Sequence, residues 1–185
     1  MRIIAGTARG RSLKSVPGEH IRPTADRVRE AIFSIIYSRL GSWRNRTVLD
    51  LCSGTGAMAI EALSRGAARA VLVDRDARAE RLARQNLESC RLEQPFEFIR
   101  GSLPQALAQL PPGPYDVVFL DPPYRQGIAG ATLELLGRSE FLNPDSLVCV
   151  ETGKTDQLNE TYGNLAVELQ RDYGSTRISL FALTE

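Results

Sequence analysis

From Thr47 onward, short apolar runs alternate with helical stretches, and this alternation restricts the fold more than any other feature of the chain. Strands are expected over 47–51, 70–74, 96–100, 116–121 and 146–151, with helices over 58–65, 77–91, 103–110 and 129–137 between them. In the second of these helices Ala79, Leu82, Ala83, Leu87 and Cys90 recur at helical spacing and form one apolar face. Repeated strand–helix–strand units build right-handed crossovers, and hence a doubly wound parallel sheet. The texture then changes. Segments 165–173 and 176–183, joined at Gly174-Ser175, read as an antiparallel hairpin at the sheet edge, and 153–163 reads as loop or a short helix. The expected architecture is α/β: a mostly parallel seven-stranded sheet with an antiparallel C-terminal hairpin.

The first 46 residues differ from the rest. Segments 2–5 and 12–16, linked by a basic glycine-containing loop, suggest a small hairpin that Pro17-Gly18 interrupts. A helix is expected from Thr24, with Val28, Ala31, Ile32, Ile35, Ile36 and Leu40 on its apolar face and Gly41 at its end. Arg27 and Arg29 lie off that face, open to solvent or ligand. Trp43 reads as a core or edge anchor. This segment carries ten Lys/Arg against three acids, a net charge of +7, whereas the remainder nets −6. A basic arm on a slightly acidic body suits a polyanion. The expected organisation is one domain over 1–185: a hairpin-and-helix extension over 1–46 and a core over 47–185.

With 185 residues and 43% hydrophobic content, the chain can bury a substantial core. It has no apolar run long enough to span a bilayer, and its first residues lack the apolar stretch of a signal peptide, so a cytoplasmic location is expected. Three cysteines without CxxC spacing and a single histidine argue against a zinc site or a disulfide framework. Cys90 and Cys149 read as small buried residues, and His20, on a Pro/Gly-flanked loop, as a surface residue. Monomer is the expected state.

Asp50-Leu51-Cys52-Ser53-Gly54-Thr55-Gly56 follows the first sheet strand and precedes a helix. Its glycines permit a tight turn and close backbone approach to a ligand, and the helix N-terminus behind them carries free N–H groups. Asp74 ends the next strand, where an acid can hold a ribose. Nucleotide binding is the reading that unites these residues. Gly54 and Gly56 also fit a relaxed dinucleotide fingerprint, which keeps NAD as a competitor. Asp50, however, would repel a pyrophosphate and attract a cationic amino group. S-adenosylmethionine, with its ammonium, sulfonium and ribose, suits the two acids better. A Walker loop is excluded, because Gly153-Lys154-Thr155 has Val148 where the earlier glycine belongs. Ser102-Leu103-Pro104-Gln105 reads first as a helix cap; Ser102 could also lie near an adenine.

The apolar run Val117-Val118-Phe119-Leu120 ends in Asp121-Pro122-Pro123-Tyr124. Prolines stop the strand and leave carbonyl acceptors without neighbouring N–H donors. An acid, rigid carbonyls and an aromatic ring thus gather at the carboxyl end of a strand, where open α/β sheets place their chemistry. A planar base with an exocyclic amine fits: Asp121 and a proline carbonyl accept from the NH2 group while Tyr124 stacks on the ring.

Together these residues resemble the Rossmann-like class I S-adenosylmethionine-dependent methyltransferases. More narrowly, the chain resembles the bacterial small-subunit methyltransferase D family, which methylates guanine N2 in 16S ribosomal RNA. The match rests on Arg2-Ile3-Ile4-Ala5-Gly6 with Arg9-Gly10-Arg11, the block from Arg22-Pro23-Thr24 to Glu30, Val48-Leu49-Asp50-Leu51 with Gly54-Thr55-Gly56, Glu61 to Ala67, Asp121 to Tyr124, and Tyr173-Gly174. The loop departs from the family with Cys52-Ser53, and Asp74 stands where Glu is usual. The resemblance implies methyl transfer from S-adenosylmethionine, giving S-adenosylhomocysteine, without a metal. It implies catalysis at Asp121, Pro122, Pro123 and Tyr124, and cofactor binding by Asp50, Cys52, Ser53, Gly54, Thr55, Gly56, Asp74 and Ser102. Arg9, Arg11, Arg22, Arg27 and Arg29 are the candidates for phosphate contacts, although Arg22 and Arg27 could instead pair with Asp26 or Glu30. The implied partner is 16S rRNA within an assembled or assembling small subunit. Rival readings are adenine-N6 methylation of nucleic acid, a NAD-linked oxidoreductase, and a non-catalytic RNA-binding assembly factor.

Overall fold

A computed structural model describes residues 1–15, 23–123 and 127–184, with 23–25 described by backbone alone. Helix α1 (Pro23–Leu40) precedes the sheet, and Gly41, at φ 68°, closes it by donating its N–H to the Tyr37 carbonyl at 2.9 Å. The core then runs β1 (Thr47–Leu51), α2 (Ala57–Ser64), β2 (Arg69–Asp74), α3 (Ala77–Cys90), β3 (Phe96–Arg100), a 3-10 turn (Gln105–Gln109), β4 (Tyr115–Leu120) and α4 (Ile128–Leu136). It finishes with β5 (Leu142–Gly153), β6 (Thr161–Tyr162), β7 (Leu165–Tyr173) and β8 (Thr176–Leu183).

Among the described residues, eight strands form one sheet in the order β3-β2-β1-β4-β5-β8-β7-β6. The first five pair in parallel, and β8, β7 and β6 add antiparallel. Side chains on successive strand residues leave on opposite faces, so the apolar runs feed two cores. Val48, Leu72, Val117, Phe119 and Leu180 pack under α1, α2 and α3. Leu49, Val71, Val118, Val148 and Phe181 pack against α4 and the 3-10 turn. Trp43 is buried against Phe33, with ring centroids 5.0 Å apart. Cys90 and Cys149 are buried free thiols.

The order reverses between β1 and β4: from β1 the chain winds outward to β2 and β3, then returns to the other side as β4. Such a switch point leaves a crevice at the strands' carboxyl ends.

Residues 1–15 are latched onto α2 and α3. Arg2 and Ser12 form an antiparallel bridge, supported by Ile3 N to Arg11 O at 3.0 Å and Leu13 N to Met1 O at 3.0 Å. The fully buried Glu61 accepts from Ile4 N at 2.7 Å and Ala5 N at 3.0 Å. Gly6 passes so close to α2 that a Cβ there would sit 1.8 Å from the Ser64 carbonyl oxygen. Pro17, Gly18 and His20 lie outside the described residues.

Three elements differ from expectation. The helix expected over 103–110 is a short 3-10 turn. Between Pro104 and Pro111 there is too little chain for a stable α-helix, and short pieces adopt 3-10 geometry. β5 is longer than 146–151, because it pairs with β4 across an irregularity near Asn143-Pro144-Asp145 and with β8 as far as Gly153–Thr176. Part of the 153–163 segment forms β6, which makes the sheet eight-stranded rather than seven-stranded.

Candidate active site

Three adjoining cavities occupy the crevice, of about 610, 430 and 90 Å³, and all three touch Cys52. The loop after β1 forms their shared floor. Ser53 N donates to Val73 O at 3.1 Å and Gly56 N to Ser53 O at 2.7 Å, folding the loop back on itself. Gly56, at φ 74°, leads into α2; a Cβ there would press to 3.1 Å from both Ala83 and Leu72. Asn86, fully buried on α3, holds the loop by donating to Thr55 O at 3.0 Å, and with the same side chain grips both backbone polar groups of Lys14.

Acids ring this floor. Asp50 is 3% exposed and accepts from Ala59 N at 3.0 Å. Burial, offset in part by that bond and reinforced by Asp74, pushes its carboxyl up to about 7. Asp74, at the end of β2, accepts from Gly54 N and from Asp76 N, each at 2.9 Å, and lines the two smaller cavities. Asp121, just past β4, donates its N–H to Leu51 O at 3.3 Å. Its side chain opens into the crevice, yet the enclosing protein, then Glu151, then Asp50 raise its carboxyl well above the usual range. Pro122 is buried beside it and Pro123 is exposed. The Cys52 thiol, at φ 62°, is pushed up to about 12 by burial and by Asp74, Asp121 and Asp50, so it is a poor nucleophile.

The fold therefore brings Asp50, Cys52, Ser53, Gly54, Thr55 and Asp121 to the large cavity, and Asp74, Pro122 and Pro123 beside it. Gly56 shapes the loop from below. Ser102 does not cap the turn that follows: Pro104 holds the cap position, with no side-chain bond, and Ser102 is exposed on the smallest cavity. Tyr124 and Arg22 lie outside the described residues.

Arg9 and Arg27 are exposed, and Arg11 donates to Ser89 O at 2.7 Å. Arg29 corrects the sequence reading. It is 4% exposed rather than open to solvent, its Nη2 bonded to the Arg2 carbonyl and 3.3 Å from Asp26. Residues 1–15 cover a part of α1 that helical periodicity alone assigns to water.

The sequence reading gave no site role to Glu151 or to the Tyr173–Thr176 turn, although Tyr173-Gly174 is among the residues that carry the resemblance; both line the large cavity. Glu151 had a usable signal: Leu120 pairs with Val150, so the residues that follow, Asp121 just past β4 and Glu151 still within β5, lie side by side. Among the described residues no group of three or more His, Cys, Asp or Glu is placed to hold a metal ion.

The family model described as conserved hypothetical protein 95 matches residues 1–182. The Bacillus subtilis protein YlbH is 36% identical over 184 residues, 98% of each chain. Ribosomal RNA small subunit methyltransferase D of Haemophilus influenzae is 37% identical over 161 residues, covering 85% of this chain and 81% of that one. The solved structure of Escherichia coli yhhF superposes with a TM-score of 0.84 at 30% identity, over 99% of this chain and 97% of that one. With a switch-point crevice, a glycine loop and strand-end acids in place, the chain belongs to the conserved hypothetical protein 95 family, together with the ribosomal RNA small subunit methyltransferase D proteins.

Proposed function

We propose that this protein transfers a methyl group from S-adenosylmethionine to the exocyclic N2 amine of a guanine in 16S rRNA, releasing S-adenosylhomocysteine. The observation that carries this reading is the placing of Asp121-Pro122-Pro123 beside a glycine loop and two further acids at one strand edge. The small-subunit methyltransferase D relatives give it a substrate class.

The crevice fits the donor. Two buried polar atoms on its wall, Ser53 Oγ and Arg29 Nε, have no hydrogen-bond partner. Asp50 suits an ammonium and Asp74 a ribose diol, while the smallest cavity, with Ser102, Leu103 and Ile128, offers a slot for a flat ring. When bound, S-adenosylmethionine supplies an electrophilic methyl on a sulfonium.

The chain's own residues do the rest. The guanine amine is a weak nucleophile because its lone pair delocalises into the ring. Asp121 and the Pro122 carbonyl accept its two hydrogens, turn the lone pair toward the donor and hold it there, which supplies much of the rate. The amine becomes acidic as it is alkylated, and the raised affinity of Asp121 for a proton suits it to collect the one released. Tyr124 stacks on the extruded base, worth about 1–3 kcal/mol. The basic segment 1–46 faces phosphates through Arg9, Arg11 and Arg27, with Arg22 a further candidate, on an assembled or assembling small subunit. The protein acts as a monomer in the cytoplasm, and residues 47–185 form its catalytic core.

The test uses labelled S-adenosylmethionine with unmethylated small subunits, naked 16S rRNA and DNA, followed by nucleoside mass spectrometry. N2-methylguanosine supports the reading. N6-methyladenine replaces the substrate, and RNA binding without transfer replaces catalysis with an assembly role.

A further inference from the structure

Arg29 is a buried cation that the reaction outlined above leaves unused. It lines the large cavity from α1, with Val28, Ile32 and Met1 on the same wall. One edge of its guanidinium is anchored: Nη2 donates to the Arg2 carbonyl and lies 3.3 Å from Asp26. Nε is buried and has no partner. A buried guanidinium with an unused donor is costly to keep, and a ligand that supplies an acceptor repays that cost on binding. Burial lowers the Arg29 pKa, partly offset by Asp26 and Glu61, from an ordinary value high enough to keep the group charged.

The charges on the cavity wall indicate what that acceptor belongs to. Among the described lining residues, Asp50, Asp121 and Glu151 are acids and Arg29 is the sole Lys or Arg. A ligand matched to such a wall carries more positive groups than negative ones, and has one anion. The amino-acid end of the donor has that composition: an ammonium and a sulfonium with a single carboxylate. An RNA phosphate does not suit the site, because a hydrated polyanion would have to bring its backbone past three carboxylates to a side chain that is 4% exposed.

We propose that Arg29 binds the carboxylate of the donor's amino-acid end inside the large cavity, rather than RNA. This rests on the S-adenosylmethionine reading above. The Arg2 carbonyl and Asp26 hold the guanidinium in place, so the N-terminal hairpin orients a cofactor contact.

Calorimetric titration of the full chain with S-adenosylhomocysteine, its decarboxylated analogue and 5′-methylthioadenosine tests the proposal without relying on turnover. The wild type should prefer S-adenosylhomocysteine over the decarboxylated analogue by about 10- to 100-fold, the range of a charge-assisted hydrogen bond. Arg29→Gln should remove that preference and leave methylthioadenosine affinity unchanged, and Arg29→Lys should restore part of it. A wild type that binds all three ligands without preference overturns the role of Arg29 whether or not the variants fold, and leaves the donor assignment standing. Equal loss for every ligand in Arg29→Gln makes the residue structural. Loss of 16S rRNA affinity with the carboxylate preference intact returns Arg29 to phosphate binding. A wild type that binds none of the three overturns the donor assignment together with the proposal.

Discussion

Asp50 has the most informative chemistry of any single residue, because its carboxyl is pushed up to about 7 while an unfolded Asp titrates near 3.9. The folded chain holds that proton more tightly, so the contribution of Asp50 to stability falls as the pH rises from about 4 through 7. A bound ammonium favours the ionised form and opposes this. Cofactor affinity should therefore weaken below about pH 7, by at most tenfold per pH unit, and binding near pH 6 should release up to one proton. Titrations in buffers of different ionisation enthalpy measure that release, and Asp50→Asn should abolish it; an unchanged proton count in the variant assigns the linkage to another group. Asp121 gives a second expectation. Its carboxyl is raised by burial and by Glu151, so the acidic limb of the methyl-transfer profile should lie above the ordinary carboxylate range. Glu151→Gln should move that limb downward. A limb that stays put in single-turnover measurements separates Glu151 from Asp121. Cys52 should resist alkylation at neutral pH despite lining all three cavities, and iodoacetamide labelling followed by mass spectrometry checks it.

Among the elements, the latch between residues 1–15 and α2 carries a large local energy. Glu61 is fully buried and satisfies Ile4 N, Ala5 N and Arg65 Nε. Glu61→Ala leaves those donors unpaired, which should destabilise the fold by about 3 kcal/mol, or roughly 6–12 °C in melting temperature for a chain of this size. Scanning calorimetry reads this directly, and a shift below 2 °C would mean that water replaces the carboxylate. How far each element was legible follows from what defines it. β1, β3, β7 and β8 match their expected bounds because apolar runs or alternation define them locally and turn residues bound them. The 3-10 turn, the extension of β5 and the two residues of β6 depend on neighbours: a proline on each side, a partner strand, a hairpin already in place. Arg29 belongs with these. A helical repeat separates apolar from polar positions, but it carries no information about a hairpin arriving from earlier in the chain to cover a polar one. The strand-end acids were readable for the opposite reason, since a parallel strand delivers its last residue to the same edge whatever surrounds it. Glu151 was missed because its strand was read but Glu151 was not set beside Asp121, which follows the neighbouring β4.

Across the whole molecule, charge and topology divide the work. The first 46 residues net +7 and the remainder nets −6, while the crevice itself is acidic. Arg9 and Arg27 are exposed on the basic side. Charge reversal at Arg9 and Arg11 should weaken RNA binding uniformly and reduce the slope of log affinity against log salt by about 1–2. Filter binding across a salt series measures it, and an unchanged slope moves the RNA surface elsewhere. The sheet's switch point places its cavities among acids, and on the proposed reading the polyanion meets exposed arginines of the basic segment instead; a single basic cleft would attract phosphate to the cofactor site. The wall of the large cavity also joins Met1 to the Tyr173–Thr176 turn, two places nearly the whole chain apart. During synthesis the β1 loop and its acids emerge well before that turn, and a domain folds as a unit. The pocket thus gains its last wall only when β8 begins to pair, so a nascent chain lacks the enclosed cavity until then.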